Sequence, residues 1–278
     1  FVCSNLKYQQ IQDTSGRYRR IYYRPGAGMG TDGGNRGDHT CSGFDSCVGA
    51  SEKFCTGTCN GCSERIGNEH EKKNIMLRRF NTWGYDAETN GRFPDDVRWT
   101  GRLSERLGDS YTVIEEGLSG RTTVFEDPLN EGMSALPYLY PCLMSHAPLD
   151  YMVVMLGTND CKERFSATAK NIADGMKRLV QKAKVVPCWR EDAKILIVAP
   201  APIDIRCEQS PVAGEMGRCS KKSECLAEEY QKCAEENRCD YLDAAPFCTM
   251  NEIDFMHLDA QSHDRFSAEI EKIVRRQV

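Results

Sequence analysis

The hydrophobic and polar positions of this chain change character near residue 72. Before it, apolar residues are scattered and hold neither strand nor helix period for the length of an element. After it, two short apolar runs stand out. Tyr151–Leu156 is six apolar residues closed by Gly157, and Lys194–Ala199 is closed by Pro200 and Pro202. Such runs predict strands covered on both faces, as in parallel sheets wrapped by helices. Asn74–Leu77, Tyr111–Glu115 and Cys239–Asp243 are shorter strand candidates. Between them the spacing predicts helices. Asp96–Leu107 has Val97, Leu103 and Leu107 on one side, Leu136–Ser145 starts near Pro137, and Ala167–Lys184 turns Ile172, Met176, Leu179 and Val180 inward. Leu226–Glu236 and a closing Ser267–Arg276 complete the set. This alternation predicts an α/β three-layer sandwich with a parallel sheet. Thr158, Asn159 and Asp160 then fall at a strand's carboxyl end, where ligands gather in open α/β sheets.

Composition sharpens the division. Residues 72–278 are enough for the α/β domain, whereas residues 1–71 form a Gly- and Cys-rich irregular lead. That lead has few large apolar groups and six cysteines (Cys3, Cys41, Cys47, Cys55, Cys59 and Cys62), so disulfide staples are expected to hold it. A metal reading of Cys55, Cys59 and Cys62 lacks a histidine at the usual spacing, and no metal site is expected. Gly26-Ala-Gly28-Met-Gly30 has no apolar strand before it, so it reads as a loop, and no cofactor is expected. Net charge of −5 without a basic cluster argues against nucleic-acid binding. No apolar run approaches the roughly 18 residues of a membrane span. Fifteen cysteines point to a secreted or oxidising lumenal location, with an odd thiol left free or paired to another chain. The chain begins at Phe1 rather than Met, so either a leader has been removed or the sequence is a piece of a longer one.

From residue 72 onward the chain resembles the SGNH (GDSL-type) hydrolases, in particular their arylesterase and acyltransferase branch. The resemblance rests on segments in matching order. They are Asn81-Thr-Trp-Gly-Tyr85, Arg92-Phe-Pro with Val97-Arg-Trp-Thr-Gly101, and Val113-Ile-Glu-Glu-Gly-Leu-Ser-Gly-Arg-Thr-Thr123. Pro148-Leu-Asp150, Met155-Leu-Gly-Thr-Asn-Asp160 and Asp254-Phe-Met-His257 follow. A hydroxyl is a poor nucleophile until a neighbouring base takes its proton, and the oxyanion that forms needs fixed donors. The resemblance implies Asp254 and His257 as acid and base. It implies Asn159 as the oxyanion-hole side chain, Gly120 as the amide donor, and Asp160 in support.

One piece is missing. Against the family's Gly-Asp-Ser-x-Thr-Trp-Gly, this chain reads Arg78-Arg79-Phe80-Asn81-Thr82-Trp83-Gly84, with Phe80 where the family has its serine. Phe supplies no attacking atom. Arg78 replaces the turn's glycine, which alone commonly tolerates positive φ. A guanidinium at Arg78 or Arg79 is long enough to enter the vacated pocket and pair with Asp160 or Asp254. Gly108-Asp109-Ser110 spells the nominal motif but precedes the second strand instead of following the first. Thr82 and Ser119 read as structural hydroxyls near the site.

The sequence therefore predicts a catalytically inactive hydrolase-like protein kept for binding or for assembly. Its protein partners would dock through the N-terminal segment or the polar Cys-bearing insertion 203–225. The alternative is a working esterase or acyltransferase with a substitute nucleophile such as Thr82 or Ser110, and a third reading is a small-ligand binder using the old cleft. Cys142, Cys161, Cys188, Cys207, Cys219, Cys225, Cys233, Cys239 and Cys248 suggest disulfides pinning the insertion. His263 is expected to make a structural hydrogen bond, His146 to lie near a helix end, and Trp83 and Trp99 to pack as core or pocket-wall aromatics.

Overall fold

A computed structural model describes the backbone of Lys7–Gln12, Tyr18–Tyr23 and Lys73–Arg79, and residues 83–278 with their side chains. The chain divides into two units, Phe1–Arg65 and Ile66–Val278. Of the first unit, strands β1 (Lys7–Gln12) and β2 (Tyr18–Tyr23) form an antiparallel pair with Lys7 opposite Tyr23. The sequence reading expected no regular element there. It passed over the Tyr and Ile residues of these two segments, which suit a pleated strand. The cysteines expected to staple this unit lie outside the described residues.

The second unit is the α/β domain. In chain order it contains β3 (Lys73–Arg79), β4 (Tyr85–Asp86), β5 (Gly91–Arg92), α1 (Trp99–Leu107), β6 (Tyr111–Glu115) and α2 (Ala135–Ser145). Then come β7 (Tyr151–Met155), α3 (Ala169–Lys184), β8 (Ile195–Ala199), α4 (Ala213–Met216) and α5 (Ser220–Glu224). The last elements are α6 (Leu226–Asn237), β9 (Asp240–Asp243) and α7 (Ala260–Gln277). Strands β6-β3-β7-β8-β9 line up in that order as one five-stranded, wholly parallel sheet.

The two central strands feed both faces, because successive side chains point to opposite sides. Met152 and Val154 of β7, with Ile195, Ile197 and Ala199 of β8, pack into a core that includes α2, α3 and α6. Tyr151, Val153 and Met155, with Leu196 and Val198, pack into a second core built with Trp99 and Leu103 of α1 and Phe266, Ile270 and Val274 of α7. Every residue of β7 and β8 is buried, as a sheet covered on both faces requires. Among the described residues, no helix is long and apolar enough to cross a membrane.

The starts of α1 and α7 differ most from the sequence reading. The segment before Trp99 is a turn closed on Pro94 by the amides of Val97 and Arg98, so α1 begins three residues after the expected Asp96. Helix α7 begins at Ala260, well before Ser267, because the Asp259 carboxylate accepts from the Ser262 amide and caps it there.

The insertion 203–225 also departs from expectation. All nine cysteines among the described residues are thiols, so disulfides do not pin it in this structure. It is held instead by burial and charge. Cys207, Met216 and Cys219 enter the core, where thiols behave as small apolar groups. Lys162, 3% exposed, sits between Asp127 (3.5 Å) and Glu215 of α4 (2.6 Å). Glu208 accepts from both the amide and the hydroxyl of Ser220.

Candidate active site

The carboxyl ends of the strands carry the site. After β7 the Leu156 carbonyl accepts from the Tyr230 hydroxyl at 2.9 Å. Gly157 then turns the chain with φ of +120°, and a Cβ there would stand 2.5 Å from the same hydroxyl. Only glycine fits that corner. The chain closes into one 3₁₀ turn, Asn159–Cys161, wholly buried.

Asp160 is fully buried, and its carboxylate accepts the Thr123 amide at 2.9 and 3.2 Å and the Thr123 hydroxyl. Burial pushes the Asp160 carboxyl up, and the Thr123 donors hold it back, to a value of about 6. Asn159 Nδ2 donates to the Arg121 carbonyl at 3.2 Å. These bonds staple the loop after β6, Glu116–Thr123, to the loop after β7. Within it Gly120 has φ of +86°, a backbone other residues adopt only at a cost. The Asn159 amide has a second N–H to offer. It and the Gly120 amide thus belong to two loops locked together through Asp160.

The acid and base come from the loop between β9 and α7. Asp254 Oδ2 lies 2.7 Å from His257 Nδ1, while Oδ1 accepts the amides of Met256 and His257 and the side-chain amide of Asn251. Asn251 Oδ1 in turn accepts the amides of Ile253 and Asp254, an Asx turn that fixes the segment. Phe255 is held at φ of +61°, with the Arg206 guanidinium over its ring, so the turn carries local backbone strain of a kind common at functional sites. Burial raises the Asp254 carboxyl, but the hydrogen bond and charge of His257 and the two amides outweigh it and leave a value of about 2. The Tyr85 ring covers His257 with its centroid 4.4 Å away, and Trp83 stacks on Tyr85 at 6.1 Å. A charged Asp254 holding Nδ1 leaves Nε2 as the ring atom positioned to take a proton.

The other sequence-derived positions fall as follows. Arg78 and Arg79 end β3 beside β7, paired in register with Val154 and Met155. Phe80 and Thr82 lie outside the described residues. The carboxylates of Asp160 and Asp254 find described donors in Thr123, Asn251, Met256 and His257, and the guanidinium groups of Arg78 and Arg79 lie outside what is described. Ser110 precedes β6, and its carbonyl accepts the Lys73 amide at the start of β3. It is therefore at the amino ends of the strands, a β6 length of roughly 16 Å from the carboxyl-end loops. His263 Nδ1 accepts the Trp99 amide at 3.3 Å, and His146 is the C-cap of α2. Trp99 is fully buried against Phe266. Burial pushes the Cys161 thiol far up, which keeps it protonated and inert. Sequence reasoning missed Tyr85, Thr123 and Asn251. Of these only Asn251, an Asx residue three before Asp254, carried a local signal.

An open cavity of about 520 Å³ borders the Asp254 turn, lined by Asp86, Phe93, Arg206, Thr249, Ile253 and Leu258 among others. It includes neither His257 nor the Gly120 and Asn159 loops.

Residues 81–265 match the GDSL-like Lipase/Acylhydrolase family, and the chain belongs to that family. Among solved structures, the native aryl esterase of M. smegmatis is similar at 32% identity and a TM-score of 0.69, over 74% of this chain and 100% of that one. Est24, a carbohydrate acetylesterase from Sinorhizobium meliloti, is similar at 33% identity and a TM-score of 0.67, again over 74% of this chain and 100% of that one. A lipolytic G-D-S-L family member from Veillonella parvula shares the fold at 13% identity and a TM-score of 0.54, over 74% of this chain and 99% of that one. No match was found among curated proteins.

Proposed function

We propose that this chain is a family member that has lost acyl transfer and keeps the scaffold for binding or for assembly into a larger complex. What carries this reading is the gap-free alignment of Arg78–Gly84 with the family's Gly-Asp-Ser-x-Thr-Trp-Gly, which sets Phe80 against the attacking serine. Removing the serine of a hydrolase triad costs on the order of 10⁶ in turnover. An intact oxyanion hole alone leaves perhaps 10³-fold over water. The retained Asp254–His257 pair has no hydroxyl to activate at that position. Protein partners would dock through the Cys-rich N-terminal segment or the 203–225 insertion, the two parts outside the segments on which the family resemblance rests.

A second reading is favoured by the integrity of the rest of the machinery. A base held by a buried carboxylate, and two loops locked around Gly120 and Asn159, would serve an esterase with a substitute nucleophile such as Thr82. Its substrate would be a small aryl or acetyl ester, by likeness to the aryl esterase and carbohydrate acetylesterase named above. Labelling the reduced full chain with a fluorophosphonate probe, beside an active serine esterase, separates the two. The first reading expects no label. A labelled Ser or Thr whose modification disappears in His257→Ala establishes the second.

A further inference from the structure

Away from Asp254 and His257, the fold gathers three side chains of different metal-ligating type. Glu116 is the first residue after β6, Cys142 lies in the last turns of α2, and His146 is that helix's C-cap. Their donor atoms all lie within 4.8 Å of one another. Cys142 and His146 are four residues apart, so they share one helix face a turn apart. Glu116 reaches them from the edge strand of the sheet. Its Oε1 is 2.7 Å from His146 Nε2, its Oε2 accepts the Tyr138 hydroxyl at 2.8 Å, and the Cys142 thiol hydrogen-bonds the same carboxylate.

We infer that Glu116, Cys142 and His146 form a binding site for a borderline-soft divalent cation, with zinc the best match to the donor set. Thiolate, imidazole and carboxylate are the three ligand types zinc takes, whereas magnesium and calcium take oxygen alone. Bonds of about 2.0–2.3 Å in a tetrahedral site put ligand atoms roughly 3.3–3.7 Å apart. The spacing here brackets that range, from 2.7 Å between Glu116 and His146 up to the 4.8 Å limit. Modest side-chain rotations would open the cluster around an ion. Binding would release the Cys142 thiol proton to solvent and replace the hydrogen bonds to Glu116 by metal bonds.

The neighbouring charge sets a condition on the site. Arg121, 6% exposed, packs its guanidinium over the Tyr138 ring at 4.7 Å, close enough to act on both Cys142 and Glu116. With a divalent ion and two anionic ligands, this guanidinium leaves the loaded site one positive charge in excess, so hydroxide or a small carboxylate is the natural fourth ligand. Glu116 opens the loop that carries Gly120, and a metal there would tie that loop to α2.

The test counts zinc. The full chain, reduced with a phosphine and equilibrated with zinc chloride, is desalted and its bound zinc measured by plasma mass spectrometry. His146→Ala and Cys142→Ser are treated alike, with folding checked by circular dichroism. Other cysteines can also hold zinc, so the readout is the difference between proteins. The site predicts one equivalent fewer per chain in either variant. It further predicts a thiolate-to-metal absorption band on cobalt substitution that weakens in both. His146 is partly exposed, so His146→Ala decides the matter if Cys142→Ser does not fold. Equal zinc counts in the wild type and folded His146→Ala, or no zinc on the wild type, overturn the inference.

Discussion

Asp254 and His257 face each other at 2.7 Å across a turn whose intervening Phe255 has positive φ. The local fold is thus shaped around a charged carboxylate. Burial alone would raise Asp254, yet His257 and the surrounding amides bring it from 3.8 down to about 2. A depressed folded-state value stabilises the protein above the unfolded value, and that stability drains away as pH falls through the folded one. Wild-type stability is therefore expected to drop between about pH 4 and pH 2 partly through this residue. Asp254→Asn should lose about 2 kcal/mol near neutral pH, as a charged hydrogen bond is given up. Its acid limb should be shallower. Urea unfolding at a series of pH values checks both.

Asp160 predicts the opposite slope. Its folded-state carboxyl is raised to about 6 from 3.8, because burial disfavours the charge more than Thr123 supports it. The folded protein holds the proton between those values while the unfolded chain has released it. Stability contributed by this group is therefore present at pH 4 and declines as pH rises through 6. Asp160→Asn keeps an acceptor for the Thr123 amide and removes the titration. The variant is expected to show a flatter stability profile between pH 4 and 6 by the same urea series.

Lys162 links the loop after β7 to both Asp127 and Glu215, and the Asp127 side chain has no exposed surface. Arg164 also reaches Asp127, at 3.3 Å. Removing one partner from a buried ion pair leaves the other charge poorly compensated, which commonly costs 3–5 kcal/mol. With Arg164 in place, Lys162→Ala is expected to lose about 3 kcal/mol and to loosen α4. Thermal unfolding with limited proteolysis around residues 203–225 measures both effects. A loss under 0.5 kcal/mol would mean that burial of Cys207, Met216 and Cys219 alone holds the insertion.

How much was legible in the sequence follows from where the information lies. Tyr151–Leu156 and Lys194–Ala199 could be read as central strands because a sheet covered on both faces leaves an unbroken apolar run. Asn159, Asp160, Asp254 and His257 stood in segments whose order carries the family resemblance. The start of α7 was not legible from hydrophobic spacing, since it depends on the Asp259 cap and not on the apolar face. The role of Thr123 was hidden for another reason. Its bonds to Asp160 join residues 37 positions apart, and no local pattern marks such a pair. The same holds for the Glu116, Cys142 and His146 cluster, in which a loop meets a helix face. Cysteine number suggested disulfides, yet all the described thiols except the exposed Cys225 lie in or against the core as apolar filler, a use that counting does not distinguish.

The central proposal is that Phe80 stands where the family has its serine, so that acyl transfer is lost. Its most direct test is the rate of p-nitrophenyl acetate hydrolysis by the full chain beside His257→Ala at equal concentration. The account predicts two rates indistinguishable from each other, with no saturable turnover in either. A wild-type rate at least a hundredfold above that of His257→Ala would contradict it.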